Sequence, residues 1–141
     1  MVRPILTPYL ETTMQEPKRV RLPSKRPAIV LKQEIDGHEF FITVSFYDDA
    51  LNHAHPGEVF VVGANMQAKA VNAAIQAWAL AMSMLMQYGT PWEKIYAKYR
   101  DGDALTRGIT EAIQSCVDER RRIVGMDEPP LSADRDLPGR V

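Results

Sequence analysis

Between residues 29 and 46 the chain is written in the two-residue period of a β-sheet. Ile29, Leu31, Phe40, Ile42, Val44 and Phe46 alternate with Lys32, Glu34, Glu39, Thr43 and Ser45, and Asp36-Gly37 interrupts the pattern. Asp-Gly between two β-prone runs predicts a two-residue hairpin loop, because a type I′ turn needs positive φ at both central positions. Such a loop pairs Ile35 with His38, Gln33 with Phe40, Leu31 with Ile42 and Ile29 with Val44. Paired residues share a face, so the six apolar side chains point one way and the polar set the other. A polar loop over residues 47–57 leads to a third apolar run, 58–62, which predicts a strand that Gly63 ends.

From residue 65 to residue 88 the period becomes helical. Met66, Ala70, Ala73, Ala77, Leu80, Met84 and Tyr88 share one stripe, flanked by Ala74, Ala81 and Leu85, and this is the expected inward side. Its small side chains let the helix approach a sheet or a partner helix closely. Gly89 stops it. Thr90-Pro91-Trp92-Glu93 reads as a capping box with Thr at N-cap and Pro at N1. It opens a second helix to residue 100, packed through Trp92, Ile95, Tyr96 and Tyr99. After a turn at Asp101-Gly102-Asp103, a third helix is expected over 110–124, with Ile109, Ile113, Cys116, Val117 and Val124 inward and Gly125 as its stop. Arg120-Arg121-Arg122 suits the negative end of that helix's dipole.

The predicted fold is therefore α+β, a three-stranded antiparallel sheet covered on one face by two to three helices. Residues 28–125 form this domain. Residues 1–27, with Pro4, Pro8, Pro17, Pro23 and Pro27, precede it as an extended basic arm, and 126–141, with Pro129, Pro130 and Pro138, read as a disordered tail. The alanine- and methionine-rich helix carries more apolar surface than three short strands can cover, so a homo-oligomer formed through it is an expectation.

Length and charge narrow the function classes. A chain of 141 residues holds one domain with a real core. A formal net charge of -1 gives no overall attraction to nucleic acid or to an anionic membrane. The apolar run 73–88 is too short to span a bilayer and is interrupted by Gln76, Ser83 and Gln87. With no apolar h-region at Met1-Val2-Arg3-Pro4-Ile5, the expected address is the cytoplasm.

Candidate chemistry is sparse. The sequence has no glycine-rich phosphate loop, no His-Glu-x-x-His and no Cys-x-x-Cys. One cysteine, Cys116, rules out an intramolecular disulfide, and its helical position beside Ile113 and Val117 reads as core rather than nucleophile. His53 and His55, with Asp48, Asp49 or Glu58, are the one crowding of metal-type ligands; a polar turn accounts for them without a ligand, and neither a metal nor any other cofactor is expected. Two anion-seeking features stand out. Lys18, Arg19, Arg21, Lys25 and Arg26 cluster in the arm with no acidic residue between them, either as a phosphate-seeking patch or as a solvated tether. The start of the long helix, at Asn65 with Lys69 beyond it, presents free backbone N–H groups.

Four segments carry a resemblance: Arg21-Leu22-Pro23-Ser24-Lys25-Arg26-Pro27, the hairpin from Gly37-His38-Glu39 to Thr43-Val44, Pro56-Gly57-Glu58-Val59-Phe60, and Gln87-Tyr88-Gly89-Thr90-Pro91. Together they resemble the TSCPD domain, which occurs at the C-terminal end of adenosylcobalamin-dependent (class II) ribonucleotide reductases and also as stand-alone proteins. Ser115-Cys116-Val117-Asp118 is similar to the namesake motif, with Gln114 and Val117 in place of Thr and Pro. The family's Lys and Gly-Ser pair at the start of the long helix are replaced here by Asn65, Gln67 and Ala68. The resemblance implies a non-catalytic accessory protein that contacts a class II reductase chain in deoxyribonucleotide synthesis. No catalytic residue is expected, because the reductase's radical cysteine and redox cysteine pair have no counterpart here. The alternative is an independent oligomeric module that holds a nucleotide or phosphate ligand through the arm and the helix start.

Overall fold

The computed structural model describes residues 17–48, 54–64 and 67–125. Strands β1 (Ala28–Ile35), β2 (His38–Phe46) and β3 (Pro56–Ala64) form one antiparallel sheet in the order β1-β2-β3. Three helices follow: α1 (Lys69–Gln87), α2 (Trp92–Tyr99) and α3 (Ala104–Ile123). The arrangement is α+β, as the pattern of the chain predicts.

The hairpin has the register expected of it, from Ile35 opposite His38 to Ile29 opposite Val44. Asp36 and Gly37 both adopt positive φ, 52° and 81°, so the type I′ turn is what locks that register. The third strand is longer than expected. It runs from Pro56 to Ala64, and Gly63 lies inside it opposite Phe40 rather than ending it. A bulge between Ser45 and Phe46 adjusts the pairing near Pro56.

One sheet face is core. Phe40, Ile42, Val44, Phe46, Val59 and Val61 are buried there under Met82 and Met86 of α1, Trp92 and Ile95 of α2, and Ile109, Ile113 and Val117 of α3. Burying each large side chain contributes roughly 1.5–3 kcal/mol against chain entropy. The opposite face is less polar than the expected set. Besides Lys32, Glu39 and Thr43 it displays Val30, Phe41, Phe60 and Val62, which are 64%, 42%, 56% and 43% exposed. They are neighbours: Val30 and Phe60 flank Thr43, and Val62 pairs with Phe41.

The long helix is rotated relative to its expected orientation. Its inward residues are Ile75, Ala79, Met82, Ser83, Met86 and Gln87. The expected stripe faces outward instead: Ala70, Ala73, Ala77, Leu80 and Tyr88 are exposed and Met84 is half-buried. Flanking Leu85 is exposed too. Met66 lies outside the described residues. The helix begins at Lys69, so Lys69 is its first residue rather than one turn in. Ser83 and Gln87, polar interruptions of the apolar run, are both buried and hydrogen-bonded to β3.

The other helix starts also shift. Pro91, not Thr90, is the N-cap of α2, and no side chain caps that end. The Thr90 N–H instead donates to the Leu85 carbonyl, closing the end of α1. The third helix starts at Ala104, not at residue 110, because Asp103 caps it by accepting a bond from Thr106 N–H at 2.8 Å. Gly108 sits inside this helix, where a Cβ would fall 2.3 Å from Ile35 Cγ2. Its missing side chain lets α3 lie against β1. Gly125, at φ 78°, follows the end of α3 as expected.

Candidate functional site

β3 is an edge strand, and α1 runs along it. Edge strands carry a row of unpaired N–H and C=O groups. Here α1 covers that row with side chains: Asn72 Oδ1 accepts from Gly63 N–H at 3.0 Å, and Ser83 Oγ accepts from Val59 N–H at 2.9 Å. The Ser83 hydroxyl proton is shared between the Val59 and Ala79 carbonyls. Gln87 Nε2 donates to the Gly57 carbonyl at 2.9 Å. Gly57, Val59, Val61 and Gly63 alternate along the strand, so Val61 also turns its N–H and C=O to this edge. No described side chain bonds to them. Gln76, one helical turn beyond Asn72 toward Ser83, makes no hydrogen bond with the described residues. The seam is thus stitched at both ends and open in the middle.

A cleft of about 360 Å³ occupies that opening. Val59, Val61, Phe60 and Val62 form its strand side, and Gln76, Ala77, Ala79 and Leu80 its helix side. At the Gln87 end it meets a second, polar hollow of about 240 Å³ lined by Arg19, Arg21, Leu22, Arg26, Glu58 and Gln87. Arg19, Glu58 and Gln87 border both, so the two are continuous.

The basic segment is docked on this end rather than tethered in solvent. Arg19 Nε donates to Gln87 Oε1 at 2.7 Å, and Val20 N–H donates to the Gln87 carbonyl at 2.8 Å. Tyr47 Oη donates to the Val20 carbonyl. Phe46 N–H donates to the Pro27 carbonyl at 2.9 Å. Gly57 allows the approach, since a Cβ there would lie 2.6 Å from the Tyr47 ring and 2.8 Å from Leu22. Arg26 is paired with Glu58 and donates to the Pro23 carbonyl. Arg21 makes no ion pair or hydrogen bond among the described residues. Three guanidiniums against one carboxylate leave a net +2 at the mouth of the cleft.

The remaining candidates lie elsewhere. Lys18 lines a separate hollow with Val20, Tyr47 and His55. Lys25 is exposed and borders neither the cleft nor the polar hollow. Lys69, at the far end of α1, is about 27 Å along the helix from Gln87. Asn65, like His53 and Asp49 of the metal-type loop, lies outside the described residues. Among the described residues no group of His, Cys, Asp and Glu is placed to hold a metal. No helix among them is long and apolar enough to cross a membrane. Cys116 is buried, and desolvation, aided by Glu119, pushes its thiol up to about 11. That setting keeps it a thiol at neutral pH and withholds the thiolate. The arginines of α3 are engaged at its end: Arg120 with Asp48, Arg121 with Glu93, Arg122 with Glu119.

Asn72, Gln76, Ser83 and Gln87 escape a hydrophobicity-based reading. Their signal is a polar row spaced four, seven and four residues apart in a helix otherwise rich in alanine and methionine.

A small α+β domain with one helix stitched to its sheet edge, and no described catalytic constellation, is the class these features define. Residues 14–124 match the TSCPD domain, so the chain belongs to the TSCPD domain family. It is 33% identical over 90 residues to a vitamin B12-dependent ribonucleotide reductase of Rhodopirellula baltica, covering 64% of this chain but 8% of that protein. It is 32% identical over 121 residues to the vitamin B12-dependent ribonucleotide reductases of Streptomyces clavuligerus and Streptomyces coelicolor, covering 82% of this chain and 12% of each relative. The chain thus spans about a tenth of the length of these relatives. No solved structure matches it.

Proposed function

We propose that this protein is a non-catalytic module of vitamin B12-dependent ribonucleotide reduction, working by contact with a reductase chain. The observation that carries this reading is the asymmetry of the match: most of this chain aligns with 12% of the Streptomyces reductases. A domain joined to a large enzyme has a ready partner in that enzyme. The outer sheet face supplies a surface suited to contact, with Phe41 beside Val62, Phe60 two residues from Val62 on the same strand, and Val30 across Thr43. Exposed apolar groups gathered on one face are the usual mark of an interaction site. The buried, protonated Cys116 supports a role without thiol chemistry of its own.

The test is a calorimetric or light-scattering titration of the full chain against the vitamin B12-dependent reductase of the same organism. Binding at micromolar concentration is expected, weakened about tenfold or more by Phe41→Glu, which places a charge in the middle of the apolar face. Phe41 does not border the cleft, so the substitution isolates the sheet face. Absence of binding, or binding that Phe41→Glu leaves unchanged, counts against the reading.

A further inference from the structure

We infer that the cleft between α1 and the β3 edge binds a nucleotide, with the base in the open middle of the seam and the phosphates at the arginine mouth. The polar groups on the floor set the head group. Val61 offers an N–H and a C=O on one edge, and Gln76, exposed on the helix side of the same cleft, has an amide with no described partner. Buried main-chain groups are almost always paired, and Val61 is only 1% exposed. A flat heterocycle with adjacent donor and acceptor matches both. The walls are apolar, from Ala77 and Leu80 on one side and the rings and methyls of Phe60 and Val62 on the other. Phe60, more than half exposed, offers a face on which a base can stack.

Charge sets the other end. Among the described residues Arg19 and Arg21 have no ion-paired carboxylate, and the Arg19 guanidinium is held in place by Gln87. Arginine forks suit phosphate oxygens. From Val61 to Gly57, whose carbonyl is bonded by Gln87, is four strand residues, or about 13 Å. That length calls for a head group with a phosphate chain rather than a nucleoside. The cleft volume lies in the range of small-molecule sites, roughly 300–1,000 Å³. An extended peptide added to the β3 edge fits less well. Strand addition needs main-chain groups at every second residue, and the Gly57 carbonyl, both Val59 groups and the Gly63 N–H are already engaged by Gln87, Ser83 and Asn72.

Occupancy of the cleft needs no reductase, so the experiment uses the full chain alone. Calorimetry and thermal melts are run with ATP, GTP, CTP and UTP, with adenosine, with inorganic tripolyphosphate, and with an acidic pentapeptide. At least one nucleoside triphosphate is expected to bind with a dissociation constant below about 1 mM and raise the melting temperature. Adenosine and tripolyphosphate are expected to bind at least about tenfold more weakly. Gln76→Leu and Arg21→Ala should each weaken the nucleotide about tenfold, with the unliganded melt unchanged because neither side chain bonds to a described residue. Lys69→Ala should leave binding unchanged. Any of four results overturns the assignment: no nucleotide binding, tripolyphosphate equal to the nucleotide, loss on Lys69→Ala without loss on Gln76→Leu, or binding of the peptide alone.

Discussion

The two long helices hold the same sheet by opposite means. Against β1, α3 packs through apolar surface, with Ile109, Ile113 and Val117 buried and Gly108 drawn up to Ile35. Against β3, α1 contributes apolar contacts on one side and a row of amides and a hydroxyl on the other, bonded to strand N–H and C=O groups. The first interface is non-directional and fills space. The second is directional: each bond fixes one helix residue against one strand residue, so it sets register. The seam is left open at one step, between Asn72 and Ser83, and the cleft lies there.

The comparison predicts a larger loss from the apolar side than from the seam. Ile113→Ala removes a fully buried side chain from the common core and should cost about 2–5 kcal/mol in chemical denaturation. Ser83→Ala removes only an oxygen but leaves the Val59 N–H without its acceptor, so it should cost roughly 1–3 kcal/mol. The two also differ in kind. Ile113→Ala should lower protection from hydrogen exchange throughout the sheet, whereas Ser83→Ala should expose the Val59 amide first. Equal exchange patterns in the two variants would show that the seam does not behave as a separate unit.

The same contrast explains what could be read from the residues in advance. The hairpin was legible because turn chemistry and alternation agree: Asp36-Gly37 and the Phe40-Ile42-Val44 face each demand one register. The start of α3 was hidden because Asp103 reads as a turn residue until Thr106 is seen to donate to it. The rotation of α1 was hidden for a deeper reason. Hydrophobic periodicity assumes that the buried side is wholly apolar, and next to a sheet edge the strand's own polar groups draw polar side chains inward beside Ile75, Met82 and Met86. Ser83 and Gln87 are buried because Val59 and Gly57 need partners. The arginines of the arm were visible as charge, yet their gathering depends on Gln87, Glu58 and the space left by Gly57. In the outer sheet face, Val30, Phe41, Phe60 and Val62 were overshadowed by the polar residues between them.

The smallest expected effect lies where the arm meets the seam and concerns pH. His55 stands beside the Tyr47 ring, with centroids 5.7 Å apart, in the hollow that Lys18, Val20 and Met86 also line. Burial holds its imidazole below the ordinary value of 6.5, and Glu93 opposes the shift only in part. Above pH 6.5 the imidazole is neutral in both folded and unfolded chains, so the contribution is fully present. As the pH falls through 6.5 the unfolded chain takes up the proton first, and stability declines until the folded-state value is passed. The N-cap Asp103 acts in a separate window. Its carboxylate is held below the ordinary 3.8, chiefly by the bond from Thr106, so its contribution is lost only at more acid pH. Thermal melts from pH 7.5 to 5 should therefore show a steeper fall for the natural chain than for His55→Gln, with the two curves parallel above pH 7. Since Tyr47 also anchors Val20, a natural chain whose melt is flat across this window would mean that the arm does not enclose His55 when folded.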